Sequence, residues 1–285
     1  MNVEDVMTPG AEVVTVELPG TRDDVLEYLQ ERPFSSVPVL KETAEGPVYR
    51  GLVSRTELIE HPDEDQLAML TESVATISRE ASLAEAIELM VGAGERRLPV
   101  VDGDRLEGIV TVTDAVRAIA RGEIAAGGEA AVEAVAGREV NCVYAGTPLP
   151  VGERELSFAG VPYAVVLDEQ ARPTGMLTEE DVIVVARVVE GEEDTGESIA
   201  GEDSDWAWEG IKAVGNSYLP TRNVEIPSTP VEEVMTPELV TVGTSRTVRE
   251  AAQLLIEHDI EQVPMVGGDR LEGIVQDMHL LEAVQ

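Results

Sequence analysis

Short apolar runs alternate with amphipathic stretches along this chain, and the alternation recurs four times. The second copy shows it best, with an apolar run at 74–77, apolar residues at helical spacing from Ser82 to about Val91, and runs at 98–101 and from Gly108 onward. Short apolar runs bounded by turns are typical of buried strands, and a spacing of three or four is typical of an amphipathic helix. The pattern predicts a strand–helix–strand–strand–helix unit, repeated four times.

The other copies follow the same order with one exception. In the first we predict a helix from Thr21 to Leu29, and in the fourth a helix from Thr247 to about Ile256. In the third, prolines and glycines interrupt 147–160, where we predict no clear helix. The remaining predicted strands are 13–16, 37–40 and 49–53 in the first copy, 140–143 and 161–166 in the third, and 240–242, 263–266 and 271–275 in the fourth.

Each copy ends on a turn that starts with glycine. In three copies a Ser or Thr follows, with an acid three residues later: Ser54 and Glu57, Thr111 and Asp114, Thr178 and Asp181. This spacing is typical of a helix capping box. The same groups at a helix N-terminus also suit a phosphate and sugar hydroxyls. The motif leaves both interpretations open.

Composition narrows the class of protein. The 285 residues are 43% hydrophobic, the formal net charge is -36, and lysine occurs only at Lys41 and Lys212. So acidic a surface is similar to that of proteins from salt-loving archaea, and it argues against DNA or RNA as a partner. We expect a cytoplasmic protein without a membrane span, because no long apolar run and no signal-like start occur. The single cysteine, Cys142, excludes an intramolecular disulfide.

The units predict the domain boundaries. Spacing between the strand proline and the turn glycine is long in copies one and three and short in two and four, so the copies form two pairs. An acidic segment interrupts the second pair and carries Trp206 and Trp208, which either anchor it to the core or form a partner-binding patch. The predicted segments are repeat 1 at 1–60, repeat 2 at 70–121, repeat 3 at 129–189, the acidic insertion and connection at 190–229, and repeat 4 at 230–285.

The chain resembles cystathionine beta-synthase (CBS) domains. The resemblance rests on Val6-Met7-Thr8-Pro9 and Val234-Met235-Thr236-Pro237, on the proline in the middle strand, and on the Gly-x-x-Ser/Thr-x-x-Asp turn. It implies an α+β fold of four βαββα repeats paired into two Bateman modules, arranged as a flat disc like the gamma subunit of AMP-activated protein kinase. It also implies clefts between paired repeats that bind adenosine-containing ligands such as AMP, ADP or ATP.

Carried over residue by residue, the resemblance implies three candidate sites. In the first, Thr111 and Thr113 face phosphate, Asp114 holds the ribose, and Thr8, Val13, Ser35 and Ser36 surround the base. The second uses Thr178 and Asp181 opposite Thr236 and Leu239, with Glu261 and Gln262 bringing no cation. The third sets Ser54, Thr56 and Glu57 against Thr76, with Arg96 and Arg97 either contacting phosphate or pairing with nearby Glu95. The fourth position, with Gln276 and His279, is expected to be empty or altered.

The resulting functional hypothesis is a regulatory sensor that binds an adenine nucleotide and transmits occupancy to an unknown protein target. The alternatives are a ligand-independent scaffold or dimerisation module, in which the motifs act only as caps, and a binder of S-adenosylmethionine-type ligands. A homodimer through the modules is compatible with each. We expect no enzymatic activity, no obligatory cofactor and no metal site, because no catalytic or ligating constellation is tied to a pocket.

Overall fold

The computed structural model describes residues 1–22, 24–25, 36–54, 57–58, 64–124, 127–185, 187–190, 211–214, 217–220 and 222–285. Two compact units share the chain. Unit 1 contains 1–137, 242–265 and 274–285, and unit 2 contains 138–241 and 266–273. Ser35 and Thr56, Trp206 and Trp208, and most of the predicted helix from Thr21 to Leu29 lie outside the described residues.

Repeat 1 forms a three-stranded sheet in unit 1. The order is β2 (Val16–Leu18), β3 (Ser36–Thr43) and β4 (Gly46–Ser54), with β2 parallel and β4 antiparallel to β3. The inward-facing residues of β3 are Val37 and Val39, which are buried with Val53 and with leucines 58, 67 and 70 in one hydrophobic cluster. The predicted strand at 13–16 begins only at Val16.

Repeat 2 takes its third strand from the start of the chain. β1 (Thr8–Pro9) pairs antiparallel with β6 (Arg105–Thr111), which pairs with β5 (Arg97–Asp102). The predicted strand at 74–77 is reduced to a bridge between Ile77 and Val100. Helix α1 (Leu83–Ala93) precedes this sheet, and α2 (Val112–Arg121) follows it.

The glycine of the turn is required because β1 crosses it closely. A Cβ added to Gly108 would lie 2.5 Å from the Thr8 carbonyl oxygen, and one added to Gly175 would lie 2.8 Å from that of Thr236. Real Cβ atoms do not approach a carbonyl so closely, so any other residue would push the crossing strand away. The repeated glycine therefore serves a contact between segments distant in sequence.

Repeat 3 follows the same order in unit 2, and here one expectation is wrong. Strand β7 (Cys142–Tyr144) leads to a regular helix, α3 (Leu149–Ala159), across the segment predicted to lack one, and β8 (Tyr163–Leu167), β9 (Pro173–Thr178) and α4 (Glu179–Val185) complete the repeat. Pro150 lies in the first turn, where a missing N–H costs nothing. Gly152 lies against Leu177 and Val231, and Gly160 ends the helix in the left-handed conformation.

The segment between repeats 3 and 4 contains two antiparallel strand pairs. β10 (Arg187–Glu190) pairs with β13 (Arg222–Glu225), and β11 (Ile211–Val214) pairs with β12 (Ser217–Pro220). Repeat 4 follows with β14 (Val242–Gly243), α5 (Val248–His258), β15 (Gln262–Gly267), β16 (Arg270–Gln276) and α6 (Asp277–Glu282).

Helices of repeats 2 and 4 pack together within unit 1. α2 lies along α5, and the Gln253 side chain donates to the carbonyl oxygen of Ala120. Small sheets with helices against them make this an α+β fold of βαββα repeats, as the sequence predicts. Arg96, three residues after α1, contacts both the first residue of α2, through the Val112 N–H, and the first residue of α6, Asp277.

Candidate functional site

Capping boxes of the predicted kind begin most helices of the described chain. Thr111 and Asp114 form one at α2, Ser82 and Glu85 another at α1, and Thr247 and Glu250 a third at α5. The helices at 82 and 247 carry no acid turn of the candidate sites. The motif by itself therefore identifies a helix start, and a binding role needs further observations.

The carboxylate of Asp114 accepts three hydrogen bonds. Its Oδ2 accepts from the backbone N–H of Thr111 at 2.9 Å and from the Thr111 hydroxyl at 2.8 Å, and its Oδ1 accepts from Arg117 at 2.9 Å. The residue is only 9% exposed. A carboxylate offers about four lone-pair positions, so Oδ1 keeps one acceptor position for a ligand hydroxyl. The cap and a sugar contact are thus compatible.

Four predicted site residues from different segments meet at the ends of the repeat 1 and repeat 2 sheets. Arg97 donates from Nη1 to the Ser36 hydroxyl at 3.1 Å, and it is the cross-strand partner of Thr111. Ser36 is in turn the partner of Ser54 at the end of β4. We call Ser36, Ser54, Arg97 and Thr111 the seam. It joins residues that the sequence assigned to the first and third candidate sites.

The other predicted residues of these two sites flank the seam or stand apart. Thr8 pairs with Ile109, two residues before Thr111, and Thr113 is exposed on the first turn of α2. The Ser54 hydroxyl accepts from the backbone N–H of Glu57 at 3.0 Å, so the Glu57 turn begins a helix. Val13 is half-buried in the loop after β1, and Thr76 is exposed just before the Ile77 bridge.

Arg96 is held by carboxylates of repeat 4. Its Nη1 and Nη2 donate to Asp277 Oδ1 and Oδ2 at 3.1 and 2.6 Å, and Nη2 lies 3.1 Å from Glu261 Oε1. The expected structural alternative, an ion pair with Glu95, is therefore replaced by a bidentate pair with Asp277. The Asp277 side chain is 7% exposed, and its Oδ1 also accepts from the Met278 N–H at 2.7 Å.

These contacts move the pKa values of the two arginines in opposite directions. Burial lowers the pKa of Arg96, but hydrogen bonds and charges from Asp277 and Glu261 outweigh it and raise the value overall. Burial and the neighbouring charge of Arg96 lower the pKa of Arg97, against the pull of Glu261 and Glu95. A second guanidinium, already paired with two carboxylates, thus lies close to Arg97 of the seam.

Asp277 is absent from the predicted site residues, although the sequence contains a signal for it. The identical heptads Asp104–Val110 and Asp269–Val275 align Asp277 with Val112, which is 2% exposed. An acid in the place of a buried valine needs a partner. The partner, Arg96, is far away in sequence, so only the fold reveals it.

The second candidate site is assembled within unit 2. Asp181 Oδ2 accepts from the Thr178 N–H and hydroxyl at 2.9 and 2.8 Å, and the Thr236 hydroxyl donates to Oδ1 at 3.3 Å. Backbone hydrogen bonds between Met176 and Thr236 hold the two segments together. Leu239 is half-buried beyond Pro237. Glu261, predicted to complete this site, lies in unit 1 and contacts Arg96.

At the fourth position a histidine ring occupies the place of the acid turn. His279 Nδ1 accepts from the backbone N–H of Gln276 at 3.2 Å. A Cβ on Gly137 would lie 3.0 Å from His279 Cε1. Gly137 bridges to Ile274 as Thr8 pairs with Ile109. The threonine of the other copies would therefore collide with the ring.

A cavity of about 390 Å³ lies at the hairpin end of the repeat 1 and repeat 2 sheets, away from the seam. Gly10, Leu40, Arg79, Arg105 and Glu107 are among its lining residues. No sequence pattern predicts this cavity. Within the described part of the chain, no helix is long and apolar enough to cross a membrane, and no cluster of three or more His, Cys, Asp or Glu side chains is arranged to hold a metal ion.

Comparison with known proteins gives the family and the fold. The family model for the CBS domain matches residues 3–64, 67–121 and 231–285. An uncharacterized protein of Methanocaldococcus jannaschii is 22% identical over 283 residues, which cover 99% of this chain and 61% of that protein. The chain thus spans less than two thirds of that relative's length.

Two solved structures cover this chain completely and are themselves completely covered. An uncharacterized conserved protein from Pyrococcus horikoshii is 24% identical with a TM-score of 0.68. A Methanocaldococcus jannaschii protein described as a candidate archaeal homologue of γ-AMPK is 19% identical, also with a TM-score of 0.68. At these identities the likeness shows the fold. It extends through repeat 3, which the family model does not match.

Proposed function

The chain belongs to the CBS-domain family, and we propose that it is a regulatory protein that binds an adenosine-containing nucleotide at the seam and transmits occupancy to a protein partner. The observation that carries the proposal is the hydrogen bond from Arg97 to Ser36, with Arg97 paired to Thr111. It places a guanidinium, two hydroxyls and the N-terminus of α2 around one point. Donors of these kinds suit a phosphate.

The ligand would connect repeat 1 to repeat 2, because both contribute to the seam. Arg97 and the exposed Thr113 would contact phosphate, Asp114 Oδ1 would accept from a ribose hydroxyl, and Thr8 and Val13 would border the base. Occupancy can alter a partner's binding only if the ligand prefers one arrangement of the repeats. AMP, ADP and ATP are the proposed ligands, and S-adenosylmethionine is the alternative. We also propose that the protein has no catalytic activity and that it works in a salt-rich cytoplasm.

The runner-up is a ligand-independent scaffold or dimerisation module. The observation that favours it is the presence of equal capping boxes at Ser82 and Thr247, where no ligand turn exists. If the turns at 111 and 178 only begin helices, the repeats would serve assembly, including a homodimer. The two functions differ in a direct binding measurement.

The test is calorimetric titration of the full chain with AMP, adenosine and S-adenosylmethionine in concentrated KCl. We expect AMP to bind the wild type and the Arg97→Met variant to lose at least about tenfold in affinity, because a charged hydrogen bond to phosphate disappears. Arg121→Met is the matched control, since it removes an exposed guanidinium from the end of α2. Circular dichroism checks that both variants fold. Absence of binding by all three ligands would leave the scaffold as the function.

A further inference from the structure

The seam lies beside a cluster of opposite charges whose composition is unusual for a phosphate site. Arg96 and Arg97 are adjacent, and each is influenced by Glu261. Asp277 contacts Arg96 through both of its carboxylate oxygens. Two guanidinium groups are thus accompanied by at least two carboxylates, one of them almost fully buried.

The Arg96–Asp277 pair is well matched in geometry and costly to break. Both ends of the guanidinium fork match both oxygens of the carboxylate, the geometry in which such pairs are strongest. Asp277 cannot turn to water, because its side chain is 7% exposed and its Oδ1 also accepts from Met278. Taking Arg96 away would leave a buried carboxylate without its counter-ion, which is costly.

Asp277 and a ligand phosphate would therefore compete for the same partner, Arg96. The backbone of Arg96 accepts from the N–H of Val112 at 2.9 Å, so Arg96 is anchored next to the start of α2. In this position its side chain could reach a phosphate chain growing out of the seam, but Asp277 and Glu261 already hold it. Each further phosphate would be repelled by the carboxylates of Asp277 and Glu261. The positive charge of Arg96 would not offset this repulsion, because it is already paired with them.

We propose that Asp277 and Glu261 make the seam selective for a nucleoside monophosphate over a triphosphate by withholding Arg96 from the ligand. The inference rests on the proposed function, since it names the ligand class of that site. Arg97 contacts the first phosphate. Asp277 occupies the hydrogen-bond donors of Arg96 that further phosphates would need. Asp277 and Glu261 are specificity-determining residues that act through Arg96.

The experiment measures the affinities of adenosine, AMP and ATP for the full chain by calorimetry, in EDTA so that ATP carries its full charge. We expect the wild type to bind AMP more tightly than ATP. In Asp277→Asn, ATP affinity should rise about tenfold and AMP affinity less, while adenosine stays within about twofold, because only charged ligands use the released guanidinium. Glu261→Gln, on an exposed side chain, should change the ratio in the same direction by a smaller factor.

Two further variants isolate the cause. Arg96→Met in the Asp277→Asn background should abolish the gain for ATP, which a general loss of negative charge would not. Glu88→Gln, which removes an exposed carboxylate from α1, should leave the ratio of the ATP and AMP affinities unchanged. The gain should shrink in concentrated KCl because salt screens the charges.

Each outcome decides the proposal. Tighter binding of ATP than of AMP by the wild type would overturn it, as would an unchanged ratio in both Asp277→Asn and Glu261→Gln, and in those cases AMP binding would keep the proposed function. If the wild type bound none of AMP, ATP and adenosine, the proposed function would fail and the selectivity with it.

Discussion

Replacing Asp114 by alanine separates the two roles of the acid turn. The change deletes the acceptor for the Thr111 N–H and hydroxyl, at 2.9 and 2.8 Å, and the partner of Arg117 at 2.9 Å. A capping interaction contributes about 0.5–2 kcal/mol, and a partly exposed ion pair about 0.2–1 kcal/mol. We expect the free energy of unfolding to fall by about 1–3 kcal/mol without ligand.

The assay is urea unfolding followed by circular dichroism at fixed KCl, with and without AMP. At a hundred times its dissociation constant, AMP should stabilise the wild type by about 2.7 kcal/mol. The variant should gain much less if Asp114 holds the ribose. The free energy of unfolding of the variant should therefore fall further below that of the wild type with AMP than without it.

Asp181→Ala is the matched control. It deletes the same box at Thr178, with a threonine hydroxyl from Thr236 in place of a guanidinium. The difference between the two variants without ligand therefore compares the Arg117 contact with the Thr236 contact. An Asp114→Ala protein as stable as the wild type would refute the capping argument. If Asp114→Ala lost the same free energy of unfolding with and without AMP, the ribose contact would be refuted and Asp114 would act only as a helix cap.

Four further outcomes follow from the structure. Gly108→Ala should destabilise the fold because its Cβ would lie 2.5 Å from the Thr8 carbonyl oxygen, whereas Gly92→Ala, which meets nothing within 4 Å, should stabilise α1 by about 0.5–1 kcal/mol in urea unfolding. Tyr49→Phe should leave stability unchanged or higher, because among the described residues the buried Tyr49 hydroxyl has no hydrogen-bond partner; a clear loss would reveal one. Hydrogen bonds from Thr247 and Arg246 lower the pKa of Glu250. The stabilisation from Glu250 is therefore present above its ordinary pKa of about 4.3 and disappears as the pH falls through the lower folded value. The urea midpoints of the wild type and Glu250→Gln should accordingly converge in acid. The melting temperature should rise with KCl, because the Debye length falls from about 10 Å at 0.1 M to about 3 Å at 1 M and screens a net charge of -36; a falling temperature would contradict this.

The sequence alone determined the features that depend on near neighbours. Strand and helix order, the family resemblance and the capping boxes at Thr111 and Thr178 all follow from residues within a few positions of one another, because helix caps and periodicity are local. The prediction that 147–160 lacks a helix was wrong for the same reason, because it used only local residues. Local propensity counts Pro150 and Gly152 against a helix. Pro150 is tolerated because it lies in the first turn, and only the packing of Gly152 on Leu177 and Val231 shows why that glycine is tolerated.

Tertiary structure decided which charged groups meet. Arg97 reaches Ser36 from 61 positions away and Arg96 reaches Asp277 from 181. Nothing in the residues near Arg96 indicates that a carboxylate of repeat 4 claims it, since a salt bridge requires only proximity in space. The turn glycine is a mixed case: its recurrence is visible in the sequence, but the crossing strand that requires it appears only when the repeats pack.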